Sequence, residues 1–186
     1  LFYQTAASKF IEAPFPKSTD TATEQVDALL VDVDNDGDKD VFFVDHPNDF
    51  SKSMTIPVTM VNGKMVYSED TVTVYTSDRL FENRGGKFVD VTKKAGLIDH
   101  AFGLSASIAD INNDGWPDLY VANDFNKPDF LYINNRNGTF TNRLTDYIKH
   151  TSFSSMGSDI SDINNDGLED IYVVDMAVEK KKKKKQ

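Results

Sequence analysis

The sequence predicts an all-β fold built of β-propeller blades, each a four-stranded antiparallel sheet, and three observations predict it. A motif of alternating carboxylates, Asp-x-Asp/Asn-x-Asp-Gly-x-x-Asp, occurs three times, beginning at Asp32, Asp110 and Asp162. Each copy runs into a β-branched or aromatic stretch of strand length: "VFFV" (Val41–Val44), "LYVA" (Leu119–Ala122) and "IYVV" (Ile171–Val174). The third observation is register. "LFYQTAASKF", "LFENRGGKF" and "LYINNRNGTF" end at Phe10, Phe88 and Phe140, and each time the first Asp of a motif follows 22 positions later. Four short strands recurring in a unit of about fifty residues mark a propeller blade.

Taken in order, each unit reads as an apolar pair, a turn rich in Asn, Gly or Lys, a Phe-led extended segment, a connection, an alternating segment, the acidic loop and a further strand. One unit is longer. Between Asp40 and Leu80 it carries an insertion around "TIPVTMVNGKMVYSEDTVTVY", where Asn62-Gly63 between alternating residues predicts a tight hairpin turn. A rim loop is its expected place, where insertions carry partner-specific surface.

Composition narrows the chemistry. The 186 residues carry a formal net charge of −10, and Lys180–Lys185 hold much of the positive charge, so the rest of the chain is more acidic still. Such a surface repels nucleic acid and anionic membranes and attracts divalent cations. There is no cysteine, which removes disulfides and thiolate metal sites. No apolar run is long enough for a membrane-spanning helix. His46, His100 and His150 lack ligand spacing, and no nucleophile elbow or phosphate-binding glycine loop is present, so no enzyme is expected. The terminal lysines break the repeat abruptly and are expected to lie outside it.

The acidic loops supply the candidate site. Their predicted ligands are Asp32, Asp34, Asp36, Asp38 and Asp40 in the first, Asp110, Asn112, Asp114, Trp116 and Asp118 in the second, and Asp162, Asn164, Asp166, Leu168 and Asp170 in the third. Side chains at positions 1, 3, 5 and 9 of a curling chain converge on a point, a glycine at position 6 permits the turn, and position 7 gives its backbone carbonyl. Asp38, Trp116 and Leu168 therefore differ freely in side chain. An all-oxygen donor set argues against zinc and copper, and a flexible loop favours Ca2+ over magnesium, at about three sites per chain. An EF-hand opens the same way but needs a carboxylate at position 12 and a following helix. Here position 12 is Phe43, Val121 and Val173, inside strand-like runs.

With those residues in view, "FGLSASIADINNDGWPDLYVANDF" and "SMGSDISDINNDGLEDIYVVDM" resemble the FG-GAP or VCBS β-propeller repeats, and within them the ASPIC/UnbV, cartilage-acidic-protein-like group; "VDALLVDVDNDGDKDVFFV" is similar to a more divergent copy. In such repeats the calcium loop joins the first two strands of a blade. The resemblance implies that 1–12 supply the last two strands of a preceding blade, 26–92 a blade with an insertion at about 45–78, 103–143 a blade, and 156–176 the first half of a further one, with 177–186 a Lys-rich tail. Two blades and two halves form a partial propeller. Because propellers close with at least about four blades, the remaining blades are expected from a longer chain, or from another copy exchanging halves in a six-bladed ring.

The resemblance further implies a non-enzymatic binding or adhesion scaffold, extracellular or on a bacterial cell surface associated with the outer membrane. Its expected partner is a protein or carbohydrate at the cell surface, with no nucleic acid and no transmembrane span. The alternatives are an accessory part of a bacterial surface carbohydrate-handling or transport complex, and a calcium-responsive switch.

Overall fold

A computed structural model describes residues 2–7, 9–12, 15, 23–48, 58–67, 78–99, 101–124 and 127–176. Within them the chain is a succession of antiparallel meanders. β1 (Phe2–Ala6) and β2 (Lys9–Glu12) form a pair; β3 (Thr23–Val31), β4 (Asp40–Pro47), β7 (Arg79–Arg84) and β8 (Lys87–Asp90) form a four-stranded sheet in that order. A second four-stranded sheet holds β9 (Gly103–Ala109), β10 (Asp118–Asn123), β11 (Phe130–Asn134) and β12 (Phe140–Asn142). β13 (Ser155–Ser161) and β14 (Asp170–Asp175) make a further pair. Several antiparallel sheets in sequence order are consistent with propeller blades; no closed ring is formed by the described residues.

The insertion contributes a hairpin, β5 (Val58–Val61) with β6 (Lys64–Tyr67). Its turn residues Asn62 and Gly63 have φ of 51° and 75°, the double left-handed conformation that a two-residue hairpin turn demands. The rest of the insertion, His100 and the Lys-rich tail lie outside the described residues. Two single helical turns, α1 (Thr92–Ala95) and α2 (Leu144–Tyr147), follow the two four-stranded sheets. Periodicity does not reveal them, since four residues are about one turn of helix. The Thr92 hydroxyl accepts the Leu80 N–H at 3.0 Å, tying α1 to the sheet before it.

Alternation explains why the motif-following strands read as continuous apolar runs. In β10, Leu119 and Val121 pack on one side with Phe42, Val44 and Leu80 of the first sheet, while Tyr120 and Ala122 pack on the other with Ile160, Ile171 and Val173 of the last pair. β4 divides likewise, with Phe42 and Val44 toward the second sheet, and Val41 and Phe43 toward Phe81, Phe15 and Phe88. A strand covered on both faces has no polar side to show. β14 supplies the contrast: Ile171 and Val173 pack inward, whereas Tyr172 is 61% exposed on the opposite face. The first strands of successive sheets touch, β3 with β9 and β9 with β13.

The two seams between sheets are built from equivalent residues with different chemistry. At the later seam, buried Asp129 accepts the Asn123 N–H at 2.8 Å on one oxygen, and the Tyr120 hydroxyl at 2.6 Å and the Ser155 hydroxyl at 2.9 Å on the other. At the earlier seam the counterparts are Asp78, Asp45, Phe42 and Gly103. The Asp45 N–H reaches Asp78 at 3.0 Å, but Phe42 and Gly103 bring no hydroxyl, and Asp78 Oδ2 is buried without a hydrogen-bond donor among the described residues. A Cβ on Gly103 would meet Val44 Cγ1 at 2.6 Å, so this seam is too tight for the serine of the other. Asp99, which accepts the Tyr132 hydroxyl at 3.1 Å, lies against Asp78 instead.

Candidate metal centres

The three acidic loops fold alike, and local chemistry dictates how. Asp and Asn favour turns because their short side chains bond nearby backbone amides. In each loop the position 1 carboxylate takes the N–H groups of positions 5 and 6: Asp32 from Asp36 at 3.1 Å and Gly37 at 3.0 Å, Asp110 from Asp114 at 2.8 Å and Gly115 at 2.7 Å, Asp162 from Asp166 at 3.0 Å and Gly167 at 2.8 Å. The position 5 carboxylate takes the N–H of position 7, namely Asp38 at 2.8 Å, Trp116 at 2.9 Å and Leu168 at 2.9 Å. Position 9 reaches back to the residue after position 1: Asp40 to Val33 at 2.8 Å, Asp118 to Ile111 at 3.0 Å, Asp170 to Ile163 at 3.1 Å.

Position 4 is Asn35, Asn113 and Asn165, with φ of 58°, 56° and 61°, and position 6 is Gly37, Gly115 and Gly167, with φ of 95°, 85° and 84°. Two left-handed residues so close together curl the chain sharply, which glycine permits without cost and asparagine tolerates better than other side chains. Strands leave all three loops, β4, β10 and β14, and no helix does.

Sheet neighbours complete two of the loops. The Asn83 N–H donates to the second oxygen of Asp40 at 2.8 Å, and the Asn134 N–H to that of Asp118 at 2.8 Å. These asparagines lie outside the motif and were not among the predicted ligands, yet the repeated "LFEN" and "LYIN" mark them. Asn134 also donates its Nδ2 to the Val33 carbonyl at 2.8 Å, and Asn35 donates to the Gly115 carbonyl at 3.2 Å, so the first two loops sit side by side. No third strand borders β14 among the described residues, and the third loop is correspondingly open, with Leu168 55% exposed.

Two features of the loops fit an oxygen-seeking cation. In the first, carboxylate oxygens of Asp32, Asp34 and Asp40 lie within 4.8 Å of one another. In the second, where position 3 is Asn112 and a carboxylate trio of that kind cannot form, Asn112 Oδ1 is buried with no hydrogen-bond partner among the described residues. An acceptor held from water without a donor is costly unless a cation faces it. Burial raises Asp40 and Asp118 above the ordinary carboxylate range against their N–H donors, and neighbouring carboxylates add to the rise. Asp34 is raised by burial first and then by Asp36. A positive charge within such a cluster would reverse those shifts.

The second loop also carries a salt bridge. Arg136, in the turn between β11 and β12, places Nε and Nη2 at 3.0 and 2.9 Å from Asp114 Oδ2. Of the histidines, His46 is half-buried with Nδ1 3.3 Å from the Gly103 carbonyl, and His150 is exposed.

Among known proteins, integrin alpha-3 of Mus musculus is 27% identical over 135 residues, covering 61% of this chain. The chain spans 13% of the length of that relative. No helix among the described residues is long and apolar enough to cross a membrane. The FG-GAP-like repeat matches residues 65–121 and 110–173, a span that takes in the second and third acidic loops, the second four-stranded sheet and more than half of the chain, which therefore belongs to the FG-GAP-like repeat family.

Proposed function

We propose that this chain is a calcium-binding β-propeller segment of an extracellular or cell-surface protein, a non-enzymatic scaffold for binding or adhesion. The observation that carries the reading is the threefold hydrogen-bond framework, which gathers Asp32, Asp34 and Asp40 and strands the Asn112 oxygen in the same kind of loop. Ligands would come from positions 1, 3, 5, 7 and 9 of each loop: Asp32, Asp34, Asp36, Asp38 and Asp40; Asp110, Asn112, Asp114, Trp116 and Asp118; Asp162, Asn164, Asp166, Leu168 and Asp170. Bound there, the ion supplies positive charge where carboxylates otherwise repel, and it fastens the two strands each loop joins. Extracellular calcium suits weak loops of this type, with affinities of about 10⁻⁴–10⁻³ M.

The adhesion reading draws support from the family and from the likeness to an integrin alpha chain. Membership of the ASPIC/UnbV group, the blade limits 26–92 and 103–143 with half-blades at 1–12 and 156–176, and a protein or carbohydrate partner belong to the same proposal. The test is calorimetric titration of chelator-treated protein with calcium chloride. About three sites are expected, and Asp166→Ala should remove one while the other two keep their constants. No uptake of calcium overturns the reading.

A further inference from the structure

The three loops share a framework but not the surroundings of the position 5 carboxylate. In the second loop both oxygens of Asp114 are engaged: Oδ1 by the Trp116 N–H at 2.9 Å, Oδ2 by two nitrogens of Arg136 at 3.0 and 2.9 Å. Arg136 is set there by its backbone. Its N–H donates to Asn134 Oδ1 at 2.8 Å, and its φ is 62°, a left-handed conformation unusual for arginine. In the first sheet, Asn83 matches Asn134 in its bond to the loop, and two residues further on stands Gly85, also with φ of 62°. Gly85 has no side chain to aim, and its N–H goes to Asp38 Oδ2 at 3.2 Å. Among the described residues neither Asp36 nor Asp166 takes part in an ion pair.

We infer that Arg136 sets the cation affinity of the second loop. Its guanidinium is a tethered competitor that holds Asp114 Oδ2 and adds a positive charge beside the position a divalent ion would take. This rests on the calcium reading of the loops. The second loop is weakened twice relative to the first, since position 3 is a neutral Asn112 where the first has Asp34, and ligand charge raises calcium affinity. It fills after the first loop, and filling releases the Arg136 side chain, which is 55% exposed and free to swing into water.

Calorimetric titration of the chelator-treated chain with calcium chloride tests the inference by comparing wild type with Arg136→Gln. An exposed ion pair of this kind is worth up to about a fivefold change in an equilibrium constant. One site is therefore expected to tighten about fivefold in Arg136→Gln, with the other sites unchanged. Arg136→Gly copies Gly85 and relieves the left-handed backbone, so it must tighten the same site even if the glutamine variant folds poorly. In an Asp114→Asn background the substitution should have no effect. Calcium uptake with constants unmoved by either arginine variant overturns the role of Arg136 and leaves the calcium reading standing; no uptake by wild type or variants overturns both.

Discussion

At the scale of single residues, the earlier seam between sheets holds the most unusual chemistry outside the loops. Burial, then the neighbouring Asp99 and Asp45, holds Asp78 well above the ordinary carboxylate range. Asp99 is pushed up to about 6, by burial against the bonds from Tyr132 and the charge of Lys127. Arg79 lies on the same side, its Nε 3.5 Å from Asp45. Carboxyls whose folded pKa exceeds the unfolded value near 4 favour the folded state most at low pH, and that contribution is lost as pH rises through the folded value. For Asp99 the loss falls between about pH 4 and 6, and Asp78, raised in the same sense, likewise loses its contribution as pH rises above about 4. Asp78→Asn stays neutral while keeping an acceptor for the Asp45 N–H. The melting temperature of this variant should exceed that of wild type at pH 7.5, and the difference should shrink at pH 4. Equal melting temperatures at pH 7.5 would show that the seam carries no such strain.

At the scale of elements, the repeat shows how one strand position can serve two seams. Tyr120 of β10 and Phe42 of β4 occupy equivalent places, and the tyrosine hydroxyl satisfies Asp129 where the phenylalanine brings none, Asp78 Oδ2 having no donor among the described residues. Phe42→Tyr should therefore place a hydroxyl beside that oxygen and stabilise the chain by about 1 kcal/mol, read from urea unfolding at neutral pH. A loss of stability would mean that packing around this fully buried ring outweighs the bond gained.

At the scale of the whole molecule, stacked sheets and acidic loops are coupled. Loops that join the first two strands of each sheet gather carboxylates that repel one another unless a cation lies among them, so ligand-linked stability is expected. Chelation should lower the melting temperature, and magnesium should restore it poorly, because it demands a stricter octahedron and gives up water reluctantly. Differential scanning calorimetry with and without each ion checks this, and a melting temperature indifferent to chelation would contradict it.

Sequence by itself determined the strands and the loops. Two-residue alternation within apolar runs, glycine at position 6 and asparagine at position 4 are local requirements of backbone geometry, and local requirements are written in consecutive residues. The spacing of 22 positions between each Phe and the next loop makes the repeat legible in the chain itself. Tertiary structure alone decided what meets across the sheets: the Asn134 bond to Val33, the approach of Arg136 to Asp114, and the lack, among the described residues, of a donor for Asp78 Oδ2. These depend on side chains from strands far apart in the chain, and their partners are fixed by how the sheets stack rather than by any nearby pattern.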